Sequence, residues 1–99
     1  MEKQNYTVRA NRERARIWIE GGRLSRAGFI HGARFDVNQK GRKLVLSLAG
    51  DDGARKVSGT GDRPIIDLVG KSCEPFATGD SVAITYREGS IVITEGEGA

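Results

Sequence analysis

Short apolar stretches alternate with polar residues throughout this 99-residue chain and break off at glycine-rich turns. In Arg16-Ile17-Trp18-Ile19-Glu20 the two isoleucines fall on one side and Arg16, Trp18 and Glu20 on the other, the period of two that a half-buried strand requires. The same rhythm predicts strands over residues 5–9, 33–38 (Phe35 and Val37 inward) and 43–48. Residues 22–28 suit two short helical turns that point Leu24 inward and stop at Gly28. Further along, strands are predicted over 55–58, around Ile66 and Leu68, over 81–86 (Val82 and Ile84 inward) and over 90–94. Pro75 leaves room for a single helical turn at 71–75. Glycines near Lys40-Gly41-Arg42 and Glu88-Gly89-Ser90 supply the tight connections that hairpins need.

The second set of elements restates the first. Val8, Ile17, Ile19 and Gly21 return 49 positions later as Val57, Ile66, Leu68 and Gly70. Phe29, Gly32, Phe35, Val37 and Leu44-Val45-Leu46 return 47 positions later as Phe76, Gly79, Val82, Ile84 and Ile91-Val92-Ile93. Two residues separate the offsets, in the helical segment. One copy is about half a domain and cannot enclose its own apolar face, so two copies are expected to close over a shared core. The expected organisation is a first repeat over 1–49, a linker over 50–54, a second repeat over 55–94 and a flexible tail over 95–99, with both repeats in one domain.

Charge separates what the core positions unite. Lys and Arg outnumber Asp and Glu by 11 to 4 in residues 1–49, a charge of +7, and are outnumbered 5 to 9 in residues 50–99, a charge of −4. A basic half of this kind points to a polyanionic partner, against the plainer reading of an unevenly charged solvated surface. No apolar run approaches the ~20 residues of a membrane span, and the first sixteen residues lack the apolar stretch of a secretory signal, so the expected location is cytoplasmic with no membrane partner. Cys73, the single cysteine, forms no intramolecular disulfide or metal site on its own and reads as a partly buried residue near a turn.

The run RIWIEGGRLSRAGFIHGARFDVNQKGRKLVLSL resembles the SymE-like members of the AbrB/MazE swapped-hairpin superfamily: an apolar strand, Gly, a short helix ending in Gly-Phe, then x-x-Gly, a strand, a Gly turn and a last apolar strand. RPIIDLVGKSCEPFATGDSVAITYREGSIVIT resembles the same pattern with a shortened helix. The resemblance implies a mainly β fold: a small swapped-hairpin-type β-barrel of two ββαββ-like repeats in one chain, a pseudo-dimer that is either monomeric or pairs further as a homodimer. It also implies DNA binding of the kind found in antitoxins and transcription regulators, or action on nucleic acid as a toxin. With one basic and one acidic copy, a symmetric operator with two equal half-sites is not expected.

Arg9, Arg12, Arg14 and Arg16 crowd eight positions, where planar guanidinium forks in and around a loop can converge on one phosphate backbone. Lys40, Arg42 and Lys43 form a second basic turn, and Arg23 and Arg26 share a helical face at i, i+3. These nine are the candidate nucleic-acid contacts. Trp18, outward on its strand, is a candidate for stacking on a base or anchoring a protein interface; the position equally suits packing beneath a long arginine. His31 is the only histidine and has no companion for a nucleophilic triad, and Asp51, Asp52 and Asp62 lack metal-site spacing. The expected protein is therefore not an enzyme and calls for no cofactor or metal: a regulator that binds nucleic acid, DNA in preference to RNA. The alternatives are a phage-type, anti-CRISPR-like inhibitor that docks on a host protein or ribonucleoprotein complex, and a SymE-like toxin with RNase activity.

Overall fold

The computed structural model describes residues 2–96 and is mainly β. Its elements are β1 (Glu2–Thr7), β2 (Arg9–Asn11), β3 (Arg14–Glu20), helix α1 (Gly22–Arg26), β4 (Arg34–Lys40) and β5 (Lys43–Leu48). A 3-10 turn (Gly50–Asp52) leads to β6 (Arg55–Lys56), β7 (Ser58–Gly59), β8 (Pro64–Val69), a second 3-10 turn (Gly70–Cys73), β9 (Ser81–Arg87) and β10 (Ser90–Glu95). The strands form two antiparallel sheets, one of six in the order β1-β9-β10-β5-β4-β6 and one of four in the order β2-β3-β8-β7.

Four pairings join one repeat to the other, β3 with β8, β5 with β10, β1 with β9 and β4 with β6, and the repeat offset maps their registers onto themselves or one another. Ile17 faces Leu68 and Ile19 faces Ile66 across β3 and β8, with Trp18 opposite Asp67 at the centre. Leu44 faces Ile93 and Leu46 faces Ile91 across β5 and β10, with Val45 opposite Val92 at the centre. The outer pairs follow suit. Tyr6 lies opposite Val82, as Arg55 lies opposite Phe35, and Arg9 lies opposite Arg16, as Ser58 lies opposite Ile65. Loop bonds repeat too: Gly79 N–H donates to the Val8 carbonyl at 2.8 Å, and Gly32 N–H donates to the Val57 carbonyl at 3.0 Å.

Inward side chains of both halves form one cluster, in which Ile17, Leu24, Phe29, Leu46, Leu68, Ile84, Ile91 and Ile93 are fully buried. Phe29 meets Phe35 edge-on, ring centres 5.9 Å apart, a geometry that favours aromatic pairs. Leu24 anchors α1, whose turn closes when Phe29 N–H donates to the Leu24 carbonyl at 2.9 Å.

Three sequence expectations are corrected. Among the described residues the strands form no closed barrel: the chain steps from the six-stranded to the four-stranded sheet at Val8 and again at Val57, so the outer strands end as edges and do not ladder to one another. Those two buried valines also interrupt the strands expected over 5–9 and 55–58, because each turns its side chain into the core while its backbone bonds to the loop before β4 or β9. Glu95, placed at the start of a flexible tail, instead ends β10 opposite Val82, and Gly96 N–H donates to the Ser81 carbonyl at 2.8 Å. Residues 97–99 of that tail lie outside the described residues. The 50–54 linker carries a 3-10 turn, and Ala54 N–H donates to the Asp36 carboxylate at 2.8 Å.

Candidate nucleic-acid interface

The β2–β3 hairpin projects the first arginine cluster. Asn11 pairs with Arg14, leaving Arg12 and Glu13 as a two-residue turn. Both have positive φ, 53° and 70°, as primed hairpin turns demand and as Asn-Gly would supply without strain. A side chain in the left-handed region costs roughly 1–2 kcal/mol. Glu13→Gly is therefore expected to stabilise the chain by roughly 0.5–1 kcal/mol after the entropy cost of glycine, read as a higher urea midpoint at unchanged m-value. An equal or lower midpoint would show that the turn is not strained.

Arg9, Arg12 and Arg14 have no carboxylate within ion-pair distance among the described residues. Arg9 instead lies over the Tyr6 ring, 5.7 Å from its centre. Arg16 is committed within the molecule: its Nε and Nη2 donate to both oxygens of Asp67 at 2.9 and 2.8 Å, and its guanidinium lies 4.7 Å from the centre of the Trp18 ring. Asp67 sits diagonally across the β3–β8 pair, within reach of a long side chain. The hydrogen bond to Asp67 is the main reason the Arg16 pKa is raised.

Trp18 is half-buried under Arg16, and its backbone N–H donates to the Tyr6 hydroxyl at 2.9 Å. Together Tyr6, Arg9, Arg16, Trp18, Gln4 and Glu20 line an open groove of about 600 Å³. Tyr86, opposite Glu2 on β9, donates its hydroxyl to Gln4 Oε1 at 2.6 Å; burial pushes its pKa up to about 12.

The remaining candidates occupy other parts of the surface. Arg23 and Arg26 do project together from α1, and both reach Glu2: Arg26 Nη2 donates to Oε2 at 3.0 Å, and Arg23 Nε lies 3.7 Å from the same oxygen. The Arg26 hydrogen bond is the main cause that holds the Glu2 carboxyl below the usual carboxylate range. Lys40, Arg42 and Lys43 form the β4–β5 hairpin end, where Arg42 pairs with Glu95 and the two lysines have no carboxylate partner among the described residues. The pairs of Arg23, Arg26 and Arg42 are solvent-exposed and contribute little, so a phosphate can displace their carboxylates. Arg42 lines a pocket with Gly79 and Asp80, whose backbones bond to Val8, the residue before Arg9. That proximity brings the β4–β5 end to the side of the hairpin base, whereas Arg23 and Arg26 face Tyr86 and Glu88 elsewhere.

Sequence reasoning missed Arg55, which holds in the second repeat the position of Tyr6 in the first. It donates to the Ser72 hydroxyl on the 70–73 turn. The repeat offset alone pairs Tyr6 with Arg55, but that pairing gives no hint of the neighbouring turn. Cys73 on the same turn is fully buried, and burial raises its thiol pKa. Among the described residues no three His, Cys, Asp or Glu side chains are placed to hold a metal ion, and no helix is long and apolar enough to cross a membrane. No family model, curated protein or solved structure matches this chain.

Proposed function

We propose that this protein is a nucleic-acid-binding regulator of the AbrB/SymE-like type, a covalent pseudo-dimer of two swapped-hairpin repeats that grips DNA through its basic first repeat without catalysing a reaction. The observation that carries this reading is the β2–β3 hairpin, which raises Arg9, Arg12 and Arg14 on one projection with no carboxylate partner among the described residues. Lys40 and Lys43 extend the cationic rim from the neighbouring hairpin end. The self-mapping register across β3–β8 and β5–β10 supports descent from a paired repeat. The second repeat keeps Arg14 as Arg63 but carries Ser58, Gly61 and Ile65 where the first has Arg9, Arg12 and Arg16, which favours one phosphate-gripping face per chain.

Titration against duplex DNA, single-stranded DNA and RNA at two salt concentrations tests the proposal. Phosphate neutralisation releases counterions, so affinity for duplex DNA is expected to fall steeply with salt: roughly 10³–10⁵-fold between 50 and 200 mM for six to ten contacts, and less for the smaller set here. Salt-independent or undetectable binding would refute it. Poor affinity for naked nucleic acid together with stoichiometric binding to a nucleic-acid-processing complex would favour the docking alternative instead.

A further inference from the structure

We infer that Arg14 and Arg55, with the Ser72 hydroxyl, form a clamp for a single backbone phosphate astride the 70–73 turn, extending the interface from the first repeat onto the second. The inference rests on the proposed nucleic-acid function and adds to it a contact in the repeat of opposite net charge.

The two arginines reach this turn from different repeats. Arg14 opens β3, and its guanidinium lies so close to Gly70 that any Cβ there would collide with it. Gly70 has φ +65°, a conformation that further disfavours a side chain. At the matched glycine of the first repeat, Gly21, nothing lies within 4 Å of a built Cβ, so this seat for a guanidinium exists in one repeat only. Arg55 comes from β6 and contacts the Ser72 hydroxyl two residues further on. Both positive charges are felt at the buried Cys73 thiol, where they oppose the dominant effect of burial.

Neither arginine has a carboxylate within ion-pair distance among the described residues. Asp67, the acid on β8 three residues before the turn, has both oxygens occupied by Arg16. Two guanidiniums and a hydroxyl gathered on one short turn, with the Asp67 carboxylate already engaged, match the donors that a phosphodiester accepts from. The Arg16–Asp67 pair thereby gains a role. By occupying Asp67 it keeps that carboxylate from Arg14, and the exposed Glu74 at the end of the turn pairs with neither arginine.

The test compares wild type with Arg55→Gln, Arg14→Gln, the double variant and Lys56→Gln, each folded chain titrated with a short DNA duplex at several salt concentrations. Lys56 removes the same charge one residue away, at an exposed position beside His31. Arg55→Gln is expected to weaken binding about tenfold at low salt and to lower the salt slope by about one, whereas Lys56→Gln should change affinity less than about twofold. Because both arginines hold one phosphate, the double variant should lose less than the product of the single losses.

Wild-type binding that Arg55→Gln leaves unchanged, or weakens no more than Lys56→Gln does, would overturn the clamp while leaving the nucleic-acid function standing. Absence of wild-type binding at every salt concentration would overturn both. Inorganic phosphate supplies the remaining arm: if it shifts the amide resonances of residues 70–73 and Arg55→Gln abolishes that shift without altering DNA affinity, the site takes a free anion and the clamp is overturned.

Discussion

Replacing Arg12 and Arg14 together by alanine is expected to weaken duplex DNA binding about a hundredfold at low salt and to reduce the salt slope by about two. Charge-assisted hydrogen bonds are worth about 1.5–3 kcal/mol each, and exposed arginines fall toward the low end, about tenfold per residue. Both side chains are exposed on the β2–β3 hairpin, so the urea midpoint should hardly move and the lost affinity can be assigned to the contact. Arg12→Lys keeps the charge but not the planar fork, and an intermediate loss is expected. A double variant that binds as wild type does, at both low and high salt, would place the phosphate contacts elsewhere.

Phe29→Ala should cost about 3–5 kcal/mol of stability, roughly a fifth or more of what a domain of this size commonly possesses. The ring is fully buried, rests edge-on against Phe35 and belongs to a cluster supplied by both repeats. Its removal opens a cavity between the halves that neither can collapse into independently. Phe76, the matched residue, is 4% exposed, so Phe76→Ala should cost a similar amount. Urea unfolding measures both. A loss below about 1 kcal/mol for Phe29→Ala would mean that the repeats do not share a core, and strongly unequal costs would mean that only one repeat depends on it.

Much of this architecture was legible in the chain. Alternation around Ile17 and Ile19 predicted β3 with its buried face, and the Gly22-to-Gly28 segment predicted α1 with Leu24 inward. The shortened second copy, with Pro75, predicted the single turn observed at Gly70–Cys73. The steps at Val8 and Val57 were not legible, because a strand that crosses between sheets keeps its apolar residue and its extended backbone. The expected closed barrel likewise came from resemblance, and closure depends on how edges meet, which no local spacing encodes.

The candidate site divides along the same line. Its arginines announce themselves by clustering, yet nothing near Arg16 shows that it is tied to an aspartate 51 residues away, or near Arg42 that its acid lies 53 residues away. A duplicated, half-buried β chain with its cations gathered in the first repeat follows from the residue order alone, because side-chain alternation and charge are local properties. Which of those cations are left without carboxylate partners, and that Arg55 stands beside the 70–73 turn near Arg14, emerge with the folded chain, because these neighbours are set by strand register across the shared core.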